Sequence, residues 1–278
     1  MENDFLKNPE EFLLKLEETL INPLKPEDGE PLKVGLDLGT ASIVLVVLGK
    51  NNRPLAVARE FAQVVKDGLV VDYGKAMAIT RNLKNSLEKT LGVELTQTAI
   101  AVPPGTSSRD TDTHKYVAYG AGLETTVVMD EPSAANLVLG VKNGAIVDIG
   151  GGTTGVAVVQ DGKVIHTFDE PTGGTHVSLV LAGHYGISFE EAEKLKQEPG
   201  KGKSNLAVVA PVLQKMGTII KNGLEGFNVS EIYLVGGTSA AMGICGIVES
   251  QTKIKTVVSA VPILVTPAGI AVSFKPMD

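Results

Sequence analysis

What is scarce in this sequence sets its first limits. Cys245 is the single cysteine in 278 residues. No internal disulfide can staple the chain, and this usage fits a reducing compartment. Positive charge is also short: 25 Lys and Arg against 32 Asp and Glu leave a net charge of −7. No basic cluster offsets that deficit, so nucleic acid and anionic membrane surfaces are not expected as partners. No apolar run reaches the ~18 residues that a spanning helix requires. The opening "MENDFLKNPEEF" is acidic and lacks the charged-then-apolar layout of a secretion signal. A soluble, cytoplasmic protein is the expectation.

Signatures of common chemistry are missing as well. Of His114, His166, His176 and His184, only the pair 176 and 184 has a regular spacing, i,i+8, so zinc ligation is not expected. No GxSxG or Ser-His-Asp grouping is found. "EPGKGKS" at 198–204 ends as a P-loop does. That motif, however, needs glycine at Gln197 and a preceding strand, where a helical pattern stands instead. It reads as an exposed loop. "GGTSAAMG" is out of register for a dinucleotide fingerprint.

What is present describes a folded α/β chain. Apolar residues make up 43% and charged residues 21%, enough for a buried core, and the length allows two core-bearing domains. "PEEFLLKLEETL" sets Phe12, Leu16 and Leu20 at intervals of four, which predicts a short amphipathic helix. "NPLKPEDGEPLK" reads as a linker. "LKVGLDLG" and "SIVLVVLG" then read as two strands joined by a tight turn. After a helix, the strand "QTAIAVPPG" and the strand–helix "VVMDEPSAANLVLG", the pattern restarts with "AIVDIGGGTTGVAVVQDGKVIHTF". Asp37 and Asp148 each end an apolar strand before glycine, giving an internal repeat of 111 residues. Helices are expected at 175–185, 189–197, 207–223 and 239–249, with a strand at "EIYLVGG". "TPAGIAVSF" is a small-residue segment suited to close packing.

The two glycine turns carry the chemistry. Glycine weakens strand interiors, so three in a row at 150–152 need a reason. A turn with little side chain exposes backbone N–H groups, which bind phosphate. An aspartate just before it would hold Mg²⁺ or its waters rather than the phosphate itself. Thr40, Ser42, Thr153 and Thr154 add hydroxyls. One such turn alone reads as an ordinary hairpin; two, with a third at "LVGGTS", favour a ligand. Glu131 opens the helix of "DEPSAAN" and has two readings. It favours a helix N-terminus, worth ~0.3–1 kcal/mol, or it orients a water toward a terminal phosphate.

These stretches resemble a known superfamily. "VGLDLGTAS", "VDIGGGTT" and "IYLVGGTS" resemble the two phosphate motifs and the adenosine motif of the actin, heat-shock chaperone and sugar kinase ATPases. "DEPSAA" resembles their first connecting motif. "KDGLVVDY" and "AIAVPPG" are similar to stretches of the bacterial cytoskeletal proteins MreB and FtsA. The resemblance spans 34–274. Within it the chain is similar to the chaperone-like family of ethanolamine utilisation, through "MDEPSAANL", "VDIGGGTTGVAVV", "GGTHVSLVLAG", "ISFEEAEKLK" and "TPAGIA".

The resemblance implies an actin-like ATPase fold: two ribonuclease-H-like α/β halves facing a nucleotide cleft, with reduced outer subdomains. It implies a helix and linker at 1–33, a first lobe at 34–143, a second at 144–262, and a return to the first at 263–278. It implies Mg²⁺ with ATP or ADP. Asp37 and Asp148 fall in the metal's water shell. Gly39, Thr40, Ala41 and Ser42 fall on phosphates, as do Gly150, Gly151, Gly152, Thr153 and Thr154. Gly173, Gly174, Glu193, Lys196, Gly236, Gly237 and Thr238 fall on the rest of the nucleotide, and Glu131 is the candidate catalytic group. Without the family, Glu193 and Lys196 would read as a surface ion pair at i,i+3.

The implied function is an ATP-binding chaperone-like or assembly factor in ethanolamine utilisation, at most a weak ATPase, associated with a bacterial microcompartment. Its partner would be a pathway enzyme or a shell protein. A scaffold of the MreB or FtsA type and a small-molecule kinase are the alternatives. Gly155 stands where chaperone and cytoskeletal relatives carry an acid. Only 24 residues separate Ser42 from Lys66, too few for the outer subdomain that carries the chaperones' catalytic lysine. The second outer subdomain, around 190–204, is also short, and no separate peptide-binding domain is expected after 278. Fast hydrolysis, filaments and peptide clamping are therefore not expected.

Overall fold

A computed structural model describes residues 5–66, 69–197, 202–241 and 243–277. The chain divides into two units. Unit 1 is Met1–Gly140 with Ile263–Asp278, and unit 2 is Val141–Pro262.

Unit 1 opens with α1 (Pro9–Glu18), which has proline at its first turn and Asn8 as N-cap, accepting from the Glu11 N–H. Its apolar stripe of Phe12, Leu13 and Leu16 is fully buried, and the helix packs on β3 (Pro54–Phe61) of its own unit. The stripe is thus satisfied locally. β1 (Lys33–Leu38) and β2 (Ser42–Leu48) come next, and β2 pairs with β3 along its length. A two-residue-strand hairpin, β4 (Val65–Lys66) and β5 (Leu69–Val70), leads into α2 (Tyr73–Leu91). The span from Ser42 to Lys66 is used up by β2, β3 and β4. β6 (Gln97–Val102), α3 (Ser108–Gly120), β7 (Glu124–Asp130) and α4 (Glu131–Leu139) complete the first pass. The sheet order is β3-β2-β1-β6-β7, antiparallel on the β3 side and parallel across β1, β6 and β7.

Unit 2 repeats this plan with β8 (Gly144–Ile149), β9 (Thr154–Gln160) and β10 (Lys163–Glu170). Then follow α5 (Gly174–Tyr185), α6 (Phe189–Gln197), α7 (Gly202–Gly223), β11 (Glu231–Val235), α8 (Ile244–Thr252) and β12 (Lys255–Val258). Its order is β10-β9-β8-β11-β12, with β8, β11 and β12 parallel. The 111-residue repeat extends to register: Leu38 faces Ile43 as Ile149 faces Thr154, and Asp37 faces Val44 as Asp148 faces Gly155. Each unit has its own apolar core, around Leu36, Leu45 and Ile100 in one and Val147, Leu213 and Leu234 in the other. The helix expected at 239–249 is instead a 3₁₀ turn, Gly237–Ala240, and then α8. Gly243 lies between them at φ 88°, a left-handed conformation that a continuous helix excludes. Of "EPGKGKS", residues 198–201 lie outside the described residues, and α7 begins at Gly202.

The chain returns to unit 1 as α9 (Val265–Ser273), which packs on α4 and β1. A Cβ on Gly269 would overlap the Ala134 carbonyl of α4, and one on Gly35 would overlap the Ala271 backbone of α9. The close packing expected of "TPAGIAVSF" thus depends on glycine from both partners.

The proline-rich stretch read as a linker is tied to unit 1. The Leu24 N–H donates to the Leu55 carbonyl at 2.7 Å. The Glu30 carboxylate, only 4% exposed, accepts from Arg53 Nη2 at 2.5 Å, the Lys50 N–H at 2.8 Å and the Glu27 N–H at 2.9 Å. The anchoring is polar, through backbone groups and the Glu30 side chain, which is why no apolar pattern announces it. Burial works to raise the Glu30 pKa, but the bonds from Arg53 and the two backbone donors outweigh it, and the carboxyl is held below its usual range. Glu30→Ala is expected to cost about 1–3 kcal/mol in urea unfolding at neutral pH. A folded-state pKa below the unfolded value means this contribution is fully present above the ordinary carboxylate range. It is lost as pH falls through the folded pKa, so the gap between wild type and variant should close below about pH 4.

Candidate functional site

Parallel strands place their carboxyl ends together, where ligands of α/β sheets bind. In unit 1, β1, β6 and β7 end at Leu38, Val102 and Asp130. In unit 2, β8, β11 and β12 end at Ile149, Val235 and Val258. The residues singled out from sequence fall into two sets, one at each of these edges.

The set in unit 2 is knit by hydrogen bonds. The Gly150 N–H closes the turn on the Thr153 carbonyl at 3.1 Å. The Gly150 carbonyl accepts from the Gly174 N–H at 2.9 Å and from Thr238 Oγ1 at 2.8 Å, and the Gly151 carbonyl accepts from the Thr175 N–H at 2.8 Å. The N-terminus of α5 thus spends its first donors on the turn. The consequence follows from peptide planarity. No peptide bond here is cis, and in a trans peptide the N–H points opposite to the C=O. With both carbonyls turned to α5, the Gly151 and Gly152 N–H groups point away from it, side by side. Adjacent N–H groups so aimed make an anion-binding concavity.

The glycines divide by what they make room for. A Cβ on Gly173 would come within 2.7 Å of the Gly151 carbonyl oxygen. One on Gly174 would overlap Thr238 Oγ1, and one on Gly236, at φ 84°, would overlap the Asp148 carboxylate. These three are required by the protein itself. Gly150 is different: a Cβ there would meet nothing nearer than 3.9 Å. Nothing in the fold of unit 2 demands glycine at that position.

Around the turn, Asp148 is half-buried, and its Oδ1 lies against Gly236, just past the carboxyl end of β11. Lys196 Nζ pairs with Glu193 Oε1 at 2.7 Å and also donates to the Gly174 carbonyl at 3.2 Å. Ser178 donates to the same Glu193 oxygen. The pair is therefore built into the start of α5 rather than lying loose on the surface. Thr154 is buried and gives its single hydroxyl proton to the Thr172 carbonyl at 2.6 Å, so that proton ties β9 to the loop before α5. Gly237 is exposed at the start of the 3₁₀ turn. Ser178, Thr172 and His176, whose Nδ1 accepts from the Gly173 N–H at 3.2 Å, are supporting groups that the sequence reading missed. A hydroxyl inside the apolar run "VSLVLAG" was the available signal for Ser178.

In unit 1 the corresponding turn closes through the Gly39 N–H to the Ser42 carbonyl at 3.0 Å, and the Ala41 carbonyl accepts from Ala62. Gly39, Thr40 and Ala41 are half-buried and Ser42 is buried. Asp37 lies in β1 opposite Val44. Glu131 is the first residue of α4 and half-buried, with Asp130 capping the helix by accepting from the Ser133 N–H at 2.8 Å. It stands at the same sheet edge as Asp37.

Over 233 residues, 84% of this chain and 82% of the relative, the sequence is 40% identical to the ethanolamine utilization protein EutJ of Escherichia coli K12. The chain belongs to the EutJ family. The crystal structure of EutJ from Carboxydothermus hydrogenoformans matches 96% of this chain and 98% of its own, with a TM-score of 0.89 and 46% identity. A family model described as type IV pilus assembly protein PilM matches residues 133–263. The structure of MreB5 of Spiroplasma citri bound to ADP covers 87% of this chain and 95% of its own at TM-score 0.69 and 17% identity, a likeness of fold. EutJ thus shares the actin-like ATPase fold, built here as two mixed five-stranded sheets.

In this EutJ-family chain, Gly150→Ala should leave urea stability within about 0.5 kcal/mol of wild type, since the space is open. Gly174→Ala should cost about 1–3 kcal/mol, because Thr238 must give way. Equal costs would contradict the division of the glycines.

Proposed function

We propose that this chain binds Mg-ATP and Mg-ADP at the Gly150–Thr153 turn and acts as a nucleotide-dependent chaperone or assembly factor in ethanolamine utilisation, beside a bacterial microcompartment. Its partner is then an enzyme of that pathway or a shell protein. The observation that carries the nucleotide part is the pair of Gly151 and Gly152 N–H groups turned outward by the locked carbonyls, next to the space left open at Gly150. Membership of the EutJ family supports the pathway.

The donor set fits a phosphate accompanied by a hard cation. Backbone N–H groups suit phosphate oxygens, and a half-buried carboxylate just before the turn suits a cation that keeps its waters. Asp148 would hold such waters in unit 2, and Asp37 occupies the repeat-equivalent position in unit 1. Bound magnesium would neutralise charge on the phosphates. Lys196, already turned to the Gly174 carbonyl, and Glu193 would face the sugar and base. Calorimetry should show Mg-ADP binding, weaker in EDTA. Gly150→Ala should weaken it about tenfold or more, and Asp148→Ala should remove most of the gain due to magnesium. Equal affinity with magnesium and with EDTA would count against the site.

Hydrolysis is expected to be slow. Phosphoryl transfer depends on positioned charge and an oriented water. Between Ser42 and Lys66, Lys50 follows β2 at the Lys33 end of the sheet, away from Asp37, Arg53 is committed to Glu30, and Arg59 lies over the Phe61 ring, 4.7 Å from its centroid. Loss of one donor to developing charge costs about 10²–10³ in rate. Glu131 is the group proposed to orient water, so Glu131→Ala should abolish the residual single-turnover rate and leave ADP affinity nearly unchanged. A rate of about one per second that the substitution does not alter would overturn both assignments.

A further inference from the structure

Gly155 lies in the interior of β9, where glycine weakens a strand. The fold does not ask for it: the same register position in unit 1 is Val44, facing Asp37 as Gly155 faces Asp148. The nearest atom to a Cβ built on Gly155 is Asp169 Oδ1, at 3.1 Å; the next is the Asp148 carbonyl oxygen at 3.9 Å. Asp169 is on β10, directly opposite Gly155. Residues paired across neighbouring strands share a face of the sheet. Asp148, Gly155 and Asp169 therefore form one row across β8, β9 and β10, with the Asp169 carboxylate lying in the space that a side chain at 155 would fill.

We infer that Asp169 is a positioning residue for the cation that accompanies the bound nucleotide, holding its waters from β10 while Asp148 holds them from β8. This rests on the nucleotide reading of the Gly150–Thr153 turn. The two backbones are two strand spacings apart, about 10 Å. The Asp169 Oδ1 lies over β9 and the Asp148 Oδ1 lies against Gly236, on the β11 side of β8, a spread suited to an ion that retains its water shell, as magnesium does. Among the described residues, no three His, Cys, Asp or Glu side chains gather as a direct metal cage. Gly155 is what admits the second carboxylate to the row. Asp169 is exposed, so its replacement does not disturb the core.

The test is ADP affinity by calorimetry with magnesium and with EDTA, in wild type, Asp169→Asn, and the double variant Gly155→Asp with Asp169→Asn. The single variant is expected to lose about tenfold of the affinity gain that magnesium gives and to match wild type in EDTA. The double variant puts a carboxylate back over β9 and is expected to restore the gain. If wild type shows a magnesium-dependent gain and Asp169→Asn keeps all of it, the inference fails and the nucleotide site stands. A loss in the single variant that the double variant does not repair also overturns it, since the carboxylate's position over Gly155 would not be what matters. If wild type shows no gain at all, the nucleotide reading itself falls and takes this inference with it.

Discussion

Two carbonyl groups, those of Gly150 and Gly151, are held by the first two N–H groups of α5. A helix N-terminus is itself a place for anions, yet here its donors are spent on the chain. What is gained is orientation: the peptide planes of the turn are fixed, and their own N–H groups face outward. Gly173 is glycine because the turn's carbonyls sit against it, and Gly174 because the Thr238 hydroxyl does. Thr238 donates to the Gly150 carbonyl from the loop after β11, Lys196 reaches the Gly174 carbonyl from α6, and Ser178 steadies Glu193. Four segments distant in sequence thus converge on one backbone conformation.

The repeat shows how much of this belongs to the fold and how much to the site. Both units have the same sheet order, the same aspartate at the end of the first strand and the same i to i+3 closure of the turn. They differ beyond it. The turn of unit 2 is braced by a helix N-terminus and a threonine; the one in unit 1 passes directly into β2, with the Ala41 carbonyl held by Ala62. Unit 1 spends its close packing elsewhere, on the approach of α9 to β1 and α4 through Gly35 and Gly269. In chain order α4 precedes the passage into unit 2 and α9 follows the return from it.

Legibility in the sequence followed the same division. Strands β1, β2, β8, β9 and β10 were readable because apolar runs broken by glycine or Asp-Gly turns leave few alternatives. The repeat was readable because the Asp-x-Gly pattern recurs intact. The break at Gly243 was not, since a glycine inside a helical pattern can be tolerated or can end it, and only its positive φ decides. The seating of the Pro-rich stretch was hidden because it rests on Glu30, one carboxylate among many. At the site, the turns were visible from composition, but the support given by Thr172, Ser178 and His176 depends on three-dimensional neighbours that no local pattern encodes. At Thr154 the pattern shows a hydroxyl beside a phosphate motif, and only the fold shows that its proton goes to the Thr172 carbonyl.

Glycine in this chain therefore carries three different messages, which composition alone merges. At Gly243 it supplies a backbone conformation. At Gly35, Gly173, Gly174 and Gly269 it admits another piece of the same protein, and any side chain would collide with backbone or with a fixed hydroxyl. At Gly150 neither reason holds, because the space beside it is open. Open space is not unusual in itself, since Gly183 and Gly246 share it; at Gly150 it matters because the outward N–H groups of Gly151 and Gly152 lie beside it. In "DIGGGTTG" the case for a ligand comes less from the number of glycines than from Gly150, which the protein's own atoms leave unexplained.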